Sequence, residues 1–100
     1  MQIVFRILDT DSRRAQRAET LLYANLRANG ITGQVHQVFE HLEFSRLGLK
    51  GLPALELNGL VLCQERPLTE ELLADLCQRM AKAQKIMEGK KITDRDSSKA

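Results

Sequence analysis

Arg46-Leu-Gly-Leu-Lys-Gly-Leu-Pro-Ala-Leu-Glu-Leu-Asn-Gly59 is the stretch whose reading decides the fold. Pro53 opens a short apolar run, Ala54 to Leu57, and Asn58-Gly59 closes it. Asn-Gly between apolar runs is a strong hairpin signal, because a type I′ turn requires positive φ at both central residues. Leu60-Val-Leu-Cys63 is then the returning strand.

Upstream, Glu40 to Leu47 reads as two short helical turns before Gly48, with Leu42 and Leu47 expected to face inward. Gln34 to Phe39 alternates, with Val35, Gln37 and Phe39 on one side and Gln34, His36 and Val38 on the other, the period of a strand. Asp9-Thr-Asp-Ser12 supplies N-cap candidates for a helix whose apolar face is Ala15, Ala18, Leu21, Leu22 and Leu26, ending at Gly30. Ile3 to Leu8 is a largely apolar strand, predicted to be buried on much of both faces. Downstream, Thr69 is an N-cap candidate after Pro67, and Glu70 and Glu71 fall where a helix dipole favours negative charge. Leu72, Leu73, Leu76, Cys77 and Met80 form that helix's apolar face. One domain is expected over residues 1–88, with a flexible polar tail over 89–100.

The predicted order is β-α-β-(α)-β-β-α, an α/β arrangement. A βαβ crossover makes its first two strands parallel and the hairpin makes its last two antiparallel, giving a four-stranded mixed sheet flanked by helices. One hundred residues with 43% hydrophobic content suffice for one core without disulfides. The formal charge of +2 arises from 15 basic and 13 acidic residues spread along the chain, so no basic block of the kind nucleic acids or membrane surfaces attract is present. No apolar run approaches the roughly 20 residues of a membrane span, and a cytoplasmic location is expected.

Gly48, Lys50, Gly51, Leu52 and Pro53 resemble the thioredoxin segment of glycine, basic residue, glycine, aliphatic residue and cis-proline. The run from Val61 through Pro67 to Leu73 is similar to the end of small, archaeal-type thioredoxin-like proteins, so the resemblance covers about residues 2 to 80. It implies a thioredoxin-like fold with sheet order second, first, third, fourth. It also implies a docking surface for a protein partner or extended peptide, formed by Thr10, Asp11, Ser12, Arg13 and Arg14, by Lys50, Leu52 and Pro53, and by Gln64 to Arg66. Arg13, Arg14 and Arg17 would give that surface a basic edge, although exposed arginines are most often a solvated helix face.

The departure from the family lies at the first helix. Ser12 and Ala15 stand where the family places its Cys-x-x-Cys pair. A helix start lowers a cysteine pKa enough to yield a thiolate, but a serine hydroxyl gains almost nothing there, and Ala15 offers no resolving thiol. Dithiol exchange is excluded at this position, and no catalytic residue, metal or cofactor is expected.

Other constellations have plain readings. Ser12 has no histidine placed beside it and is expected to cap or to be solvated. The Asp9-x-Asp11 pair imitates the start of Mg²⁺-dependent phosphatases, in a chain too short for that fold, and is read as helix-start charge. Cys63 and Cys77, fourteen residues apart, match no metal or redox spacing. They are read as buried thiols, with a disulfide geometrically conceivable and a thiol- or glutathione-dependent redox role for Cys63 the enzymatic alternative. Arg6, Glu56 and His36 are expected on one sheet face that the short middle helix covers only in part, as a cross-strand ion pair or a polar ligand surface. Leu47, Leu49 and Leu52 form an apolar loop cluster able to seed a weak homodimer of an otherwise monomeric chain.

Overall fold

The computed structural model describes residues 2–99, with side chains described through residue 86. In chain order the elements are β1 (Val4–Leu8), α1 (Ser12–Ala28), β2 (Gln34–Val38), α2 (His41–Arg46), β3 (Ala54–Leu57), β4 (Leu60–Gln64) and α3 (Glu70–Lys99). The expected tail, 89–100, lies beyond the described side chains. The strands form one sheet in the order β2-β1-β3-β4, with β1 parallel to β2 and antiparallel to β3, and β3 antiparallel to β4. This is the thioredoxin-like α/β layout.

Alternation along the central strands divides the interior in two. Phe5 and Ile7 of β1, Val35 of β2 and Leu55 of β3 join Ala15, Ala18, Leu22 and Leu26 of α1 and Leu73 and Cys77 of α3 in the larger core. Leu8 and Ala54 form a smaller core with Phe44, packed by Val38, Leu47, Leu49 and Leu52. β1 is thus covered on both faces, as its apolar run predicts.

The hairpin turn carries positive φ at both Asn58 (47°) and Gly59 (93°), the conformation a two-residue loop requires. Asn58 also ties the turn to β1: its Oδ1 accepts from the Val4 N–H at 2.9 Å and its Nδ2 donates to the Gln2 carbonyl at 3.0 Å. Between β3 and β4 the register shifts, because Leu55 faces Cys63 while Glu56 faces Val61. Leu62 is the extra residue of this bulge, and both Leu62 and Cys63 pack against the larger core.

Arg6 and Glu56 are register partners, and so are Arg6 and His36. The Arg6 guanidinium donates through Nε and Nη2 to the Glu56 carboxylate at 3.0 and 2.6 Å, and through Nη1 to Glu43 of α2 at 2.9 Å. Arg46 donates to the same Glu43, and Arg46 and Arg6 together hold the Glu43 carboxyl down at about 2. The cross-strand pair is present as expected, but α2 covers it more fully than the sequence suggests, because Glu43 closes over Arg6. His36 takes no part: it is exposed, and its Nε2 lies 3.2 Å from Gln34 Oε1.

α2 corrects one expectation. Leu42 points to solvent, 84% exposed, and Phe44 is the inward residue at 8%. On a helix two residues apart lie about 200° apart, so Phe44 and Leu47, three apart, share the inner face and Leu42 must take the outer one. Replacing Phe44 with Ala is expected to cost about 3 kcal/mol, and Leu42→Ala to change stability by less than about 0.5 kcal/mol. Urea unfolding of the two variants checks this, and equal losses would put Leu42 back in the core.

Candidate functional site

β1 ends at Leu8, and the next residue, Asp9, is fully buried. Its amide donates to the Val38 carbonyl at 3.1 Å, which fastens it to the end of β2. Its carboxylate is saturated from two sides. The backbone N–H groups of Thr10 and Asp11 donate to Oδ1 at 2.8 and 3.2 Å, and Arg14 clasps the group with Nε on Oδ2 at 2.6 Å and Nη2 on Oδ1 at 2.5 Å. Burial pushes the Asp9 carboxyl up, but Arg14 and the two amides outweigh it and hold the group below the usual carboxylate range.

Asp11 is the N-cap of α1, its Oδ1 accepting from the Arg14 N–H at 3.1 Å. Ser12 is the first helical residue and is exposed, and among the described residues its hydroxyl has no side-chain partner. The two histidines lie on β2 and at the start of α2: His36 Nε2 is 3.2 Å from Gln34 Oε1, and the His41 ring meets the Phe44 ring edge-on at 5.4 Å. Ala15, one turn on, is fully buried in the larger core.

The Pro53 loop arrives beside this helix start because Leu8 pairs with Ala54 in the β1–β3 register. The Leu52–Pro53 peptide is cis and Pro53 is buried. Its carbonyl accepts from the Glu65 N–H at 3.1 Å, and Lys50 donates its N–H to Gln64 Oε1 at 2.7 Å. A Cβ at Gly51 would overlap the exposed Glu65 side chain, which would have to move aside for any larger residue there.

Between α1, Pro53 and the Pro67–Thr69 segment lies a hollow of about 240 Å³. Ala18, Leu21, Pro53 and Leu68 line it with apolar surface, while Arg14 and Arg17 supply its charge. A separate, shallower depression on the other flank of α1 is lined by Ser12, Arg13, Gln16, Gln37 and Phe39, and Arg17 borders both.

The expected site residues are therefore brought together only in part. Pro53 lines the hollow; Ser12 and Arg13 lie in the neighbouring depression; Thr10 and Asp11 are exposed at the helix start. Lys50 is exposed and Leu52 is half-buried in the smaller core. Arg66 sits on the far side of Pro67, over α3 residues Leu72, Asp75 and Arg79. Asp9, Ala18, Leu21 and Leu68 are the residues that sequence reading did not assign to a site. An aspartate directly after a buried strand, with an arginine five positions on, was the available signal for the first of them.

Both cysteines are free. Cys77 is fully buried; Cys63 is half-buried on β4, where burial pushes its thiol up and Arg66 only partly opposes the shift. Among the described residues no cluster of His, Cys, Asp and Glu is arranged to hold a metal ion, and no helix is long and apolar enough to cross a membrane. No model of a known protein family matches the chain, and no curated protein matches it.

The lowered Asp9 carboxyl makes a pH prediction. An unfolded aspartate titrates near 3.9, so the pair contributes its full stability above that value and loses it as pH falls toward the lower folded pKa. Asp9→Asn is expected to cost about 1 to 2 kcal/mol at neutral pH, with the gap to the parent narrowing between about pH 5 and pH 2. Glu43 titrates in both proteins and drops out of the difference. A gap that stayed constant with pH would show that Asp9 titrates alike in the folded and unfolded chain, and one that widened as pH fell would show that the fold holds it protonated.

Proposed function

We propose that this chain is a redox-inactive module of thioredoxin-like architecture, acting in the cytoplasm, that binds a protein partner or an extended segment of one beside the Pro53 loop. The hollow between α1, Pro53 and Leu68 carries this reading. It is apolar within, charged at its edge, and bounded by segments from three separate parts of the chain. The exposed Ser12 and buried Ala15 support the redox-inactive half, because neither position bears a thiol.

The thiol alternative requires Cys63 to be accessible and acidic. Its half-buried place on β4, with the thiol pushed up by burial, favours a slow nucleophile. The homodimer alternative requires Leu47, Leu49 and Leu52 to be free, whereas all three pack on the Leu8, Phe44 and Ala54 core.

Two measurements separate these readings. A disulfide reagent added to the native protein at neutral pH is expected to label Cys63 at less than about a tenth of the rate of a free thiol, and a native rate matching free cysteine would favour the enzyme. In a ¹⁵N titration with extended peptides bearing one apolar side chain each, the amides of Ala18, Leu52, Leu68 and Thr69 are expected to shift together. Shifts confined to other exposed positions, such as Tyr23 or Leu60, would sink the docking reading.

A further inference from the structure

We infer that the segment received by this hollow is acidic: an extended peptide that places one apolar side chain between Ala18, Leu21, Pro53 and Leu68 and sets its carboxylates against Arg17 and Arg13. This rests on the docking reading above and adds the chemistry of the partner.

Size is the first consideration. At about 240 Å³ the hollow is smaller than the roughly 300 to 1,000 Å³ of small-molecule sites. It has room for one or two aliphatic side chains, and not for a large cofactor.

Charge is the second. Asp9 is the one carboxylate lining either the hollow or the neighbouring depression, and it is buried and neutralised by the two-pronged clasp of Arg14. Asp11, exposed at the helix start, accepts from the Arg14 amide and lines neither concavity. Arg13 and Arg17 have no acidic partner among the described residues, and Arg17 borders both concavities. The path from Phe39 across Arg17 to Thr69 is therefore positive with no exposed carboxylate along its lining. The whole chain, by contrast, carries a formal charge of only +2. Glutamates or aspartates of an extended peptide meet guanidinium groups along this path, and lysines meet uncompensated positive charge.

Position is the third. Arg13 and Arg14 occupy the first turn of α1, where the helix dipole disfavours cations and where no acidic residue is present. Asp9 explains Arg14. Arg13 and Arg17, exposed and without such a partner among the described residues, are free to meet an anionic one. Phe39, 41% exposed at the far end of the path, offers a second apolar contact for the same segment.

The test uses the full chain and three labelled decapeptides: one leucine among glutamates and serines, the same peptide with lysine for glutamate, and the glutamate peptide with serine for leucine. Fluorescence anisotropy gives affinities and ¹⁵N spectra give the location. The acidic leucine peptide is expected to bind at least about tenfold more tightly than the lysine peptide, with the preference shrinking as salt rises. The serine-for-leucine peptide is expected to bind more weakly than its parent. Arg17→Glu is expected to weaken the acidic peptide by roughly tenfold, while Arg27→Glu, at the opposite end of α1, leaves it unchanged. Urea midpoints equal to the parent's establish that both variants are folded.

Equal binding of the acidic and basic peptides, with Ala18 and Leu68 shifting in both cases, would leave the docking reading standing and overturn the acidic one. Failure of every peptide to shift those amides would remove both. Displacement of the acidic peptide by an equal concentration of single-stranded DNA, with the same Arg17 dependence, would overturn the proposal in favour of a nucleic-acid ligand.

Discussion

A guanidinium inside a sheet fixes more of this molecule than any apolar contact does. Arg6 lies in the middle of β1, covered by α2, and its charge is tolerable there only with a partner at hydrogen-bond distance. Glu56 supplies it from the directly opposed position of β3. Because side chains alternate faces, a slip of one residue would carry Glu56 into the apolar core between α1 and α3 and leave Arg6 facing the backbone of its neighbour. The pair therefore specifies register, whatever its net contribution to stability. α2 is then placed by the same charge, since Glu43 completes the shell around Arg6. The candidate site inherits that register. With Leu8 opposite Ala54, the next residues outward are Asp9 and Pro53, the floor and one wall of the hollow.

The start of α1 shows a second electrostatic constraint, with the opposite outcome. Helix starts favour acidic side chains, yet this one presents Arg13 and Arg14. Arg14 is folded back onto Asp9, whose carboxylate already takes two backbone amides, so cation, dipole and buried anion cancel within one turn. That cancellation lets a carboxylate be fully buried at the end of β1. It also means that the positive field that activates a nucleophile at such a helix start is largely consumed below Ser12.

Features governed by local chemistry were legible in the sequence. Asn58-Gly59 demands its turn, Thr69 caps α3 through its hydroxyl on the Leu72 N–H at 3.2 Å, and the alternation of β1 and β3 sorts Arg6 and Glu56 onto one face. Where two readings of one helix compete, sequence is weaker. Leu42 and Leu47 both read as inward, and Leu47 does pack on the smaller core, but a helix of six residues has one inner stripe, and Phe44 takes the place in it that Leu42 cannot reach. The hollow was least legible, because its walls come from α1, the Pro53 loop and the turn into α3. No one of these segments reads as a site alone. Pro67 and Leu68 read as the approach to a helix, and Leu68 becomes a wall only when α3 packs against α1.

The same pairing bears on what the fold can do with Ser12 and Ala15 at the start of α1. In a helix-start site a nucleophile and the helix field act at one point; here Ser12 occupies that point, and the Arg14 charge is turned onto Asp9. What charge remains lies one turn along α1, at Arg17, and on the β2 side of the helix, at Arg13. Both are exposed and lie along the flank of the helix, away from its tip. A surface arranged in this way, with Ser12 and Ala15 at the helix start and arginines along its flank, is better suited to anionic contact than to activating a nucleophile.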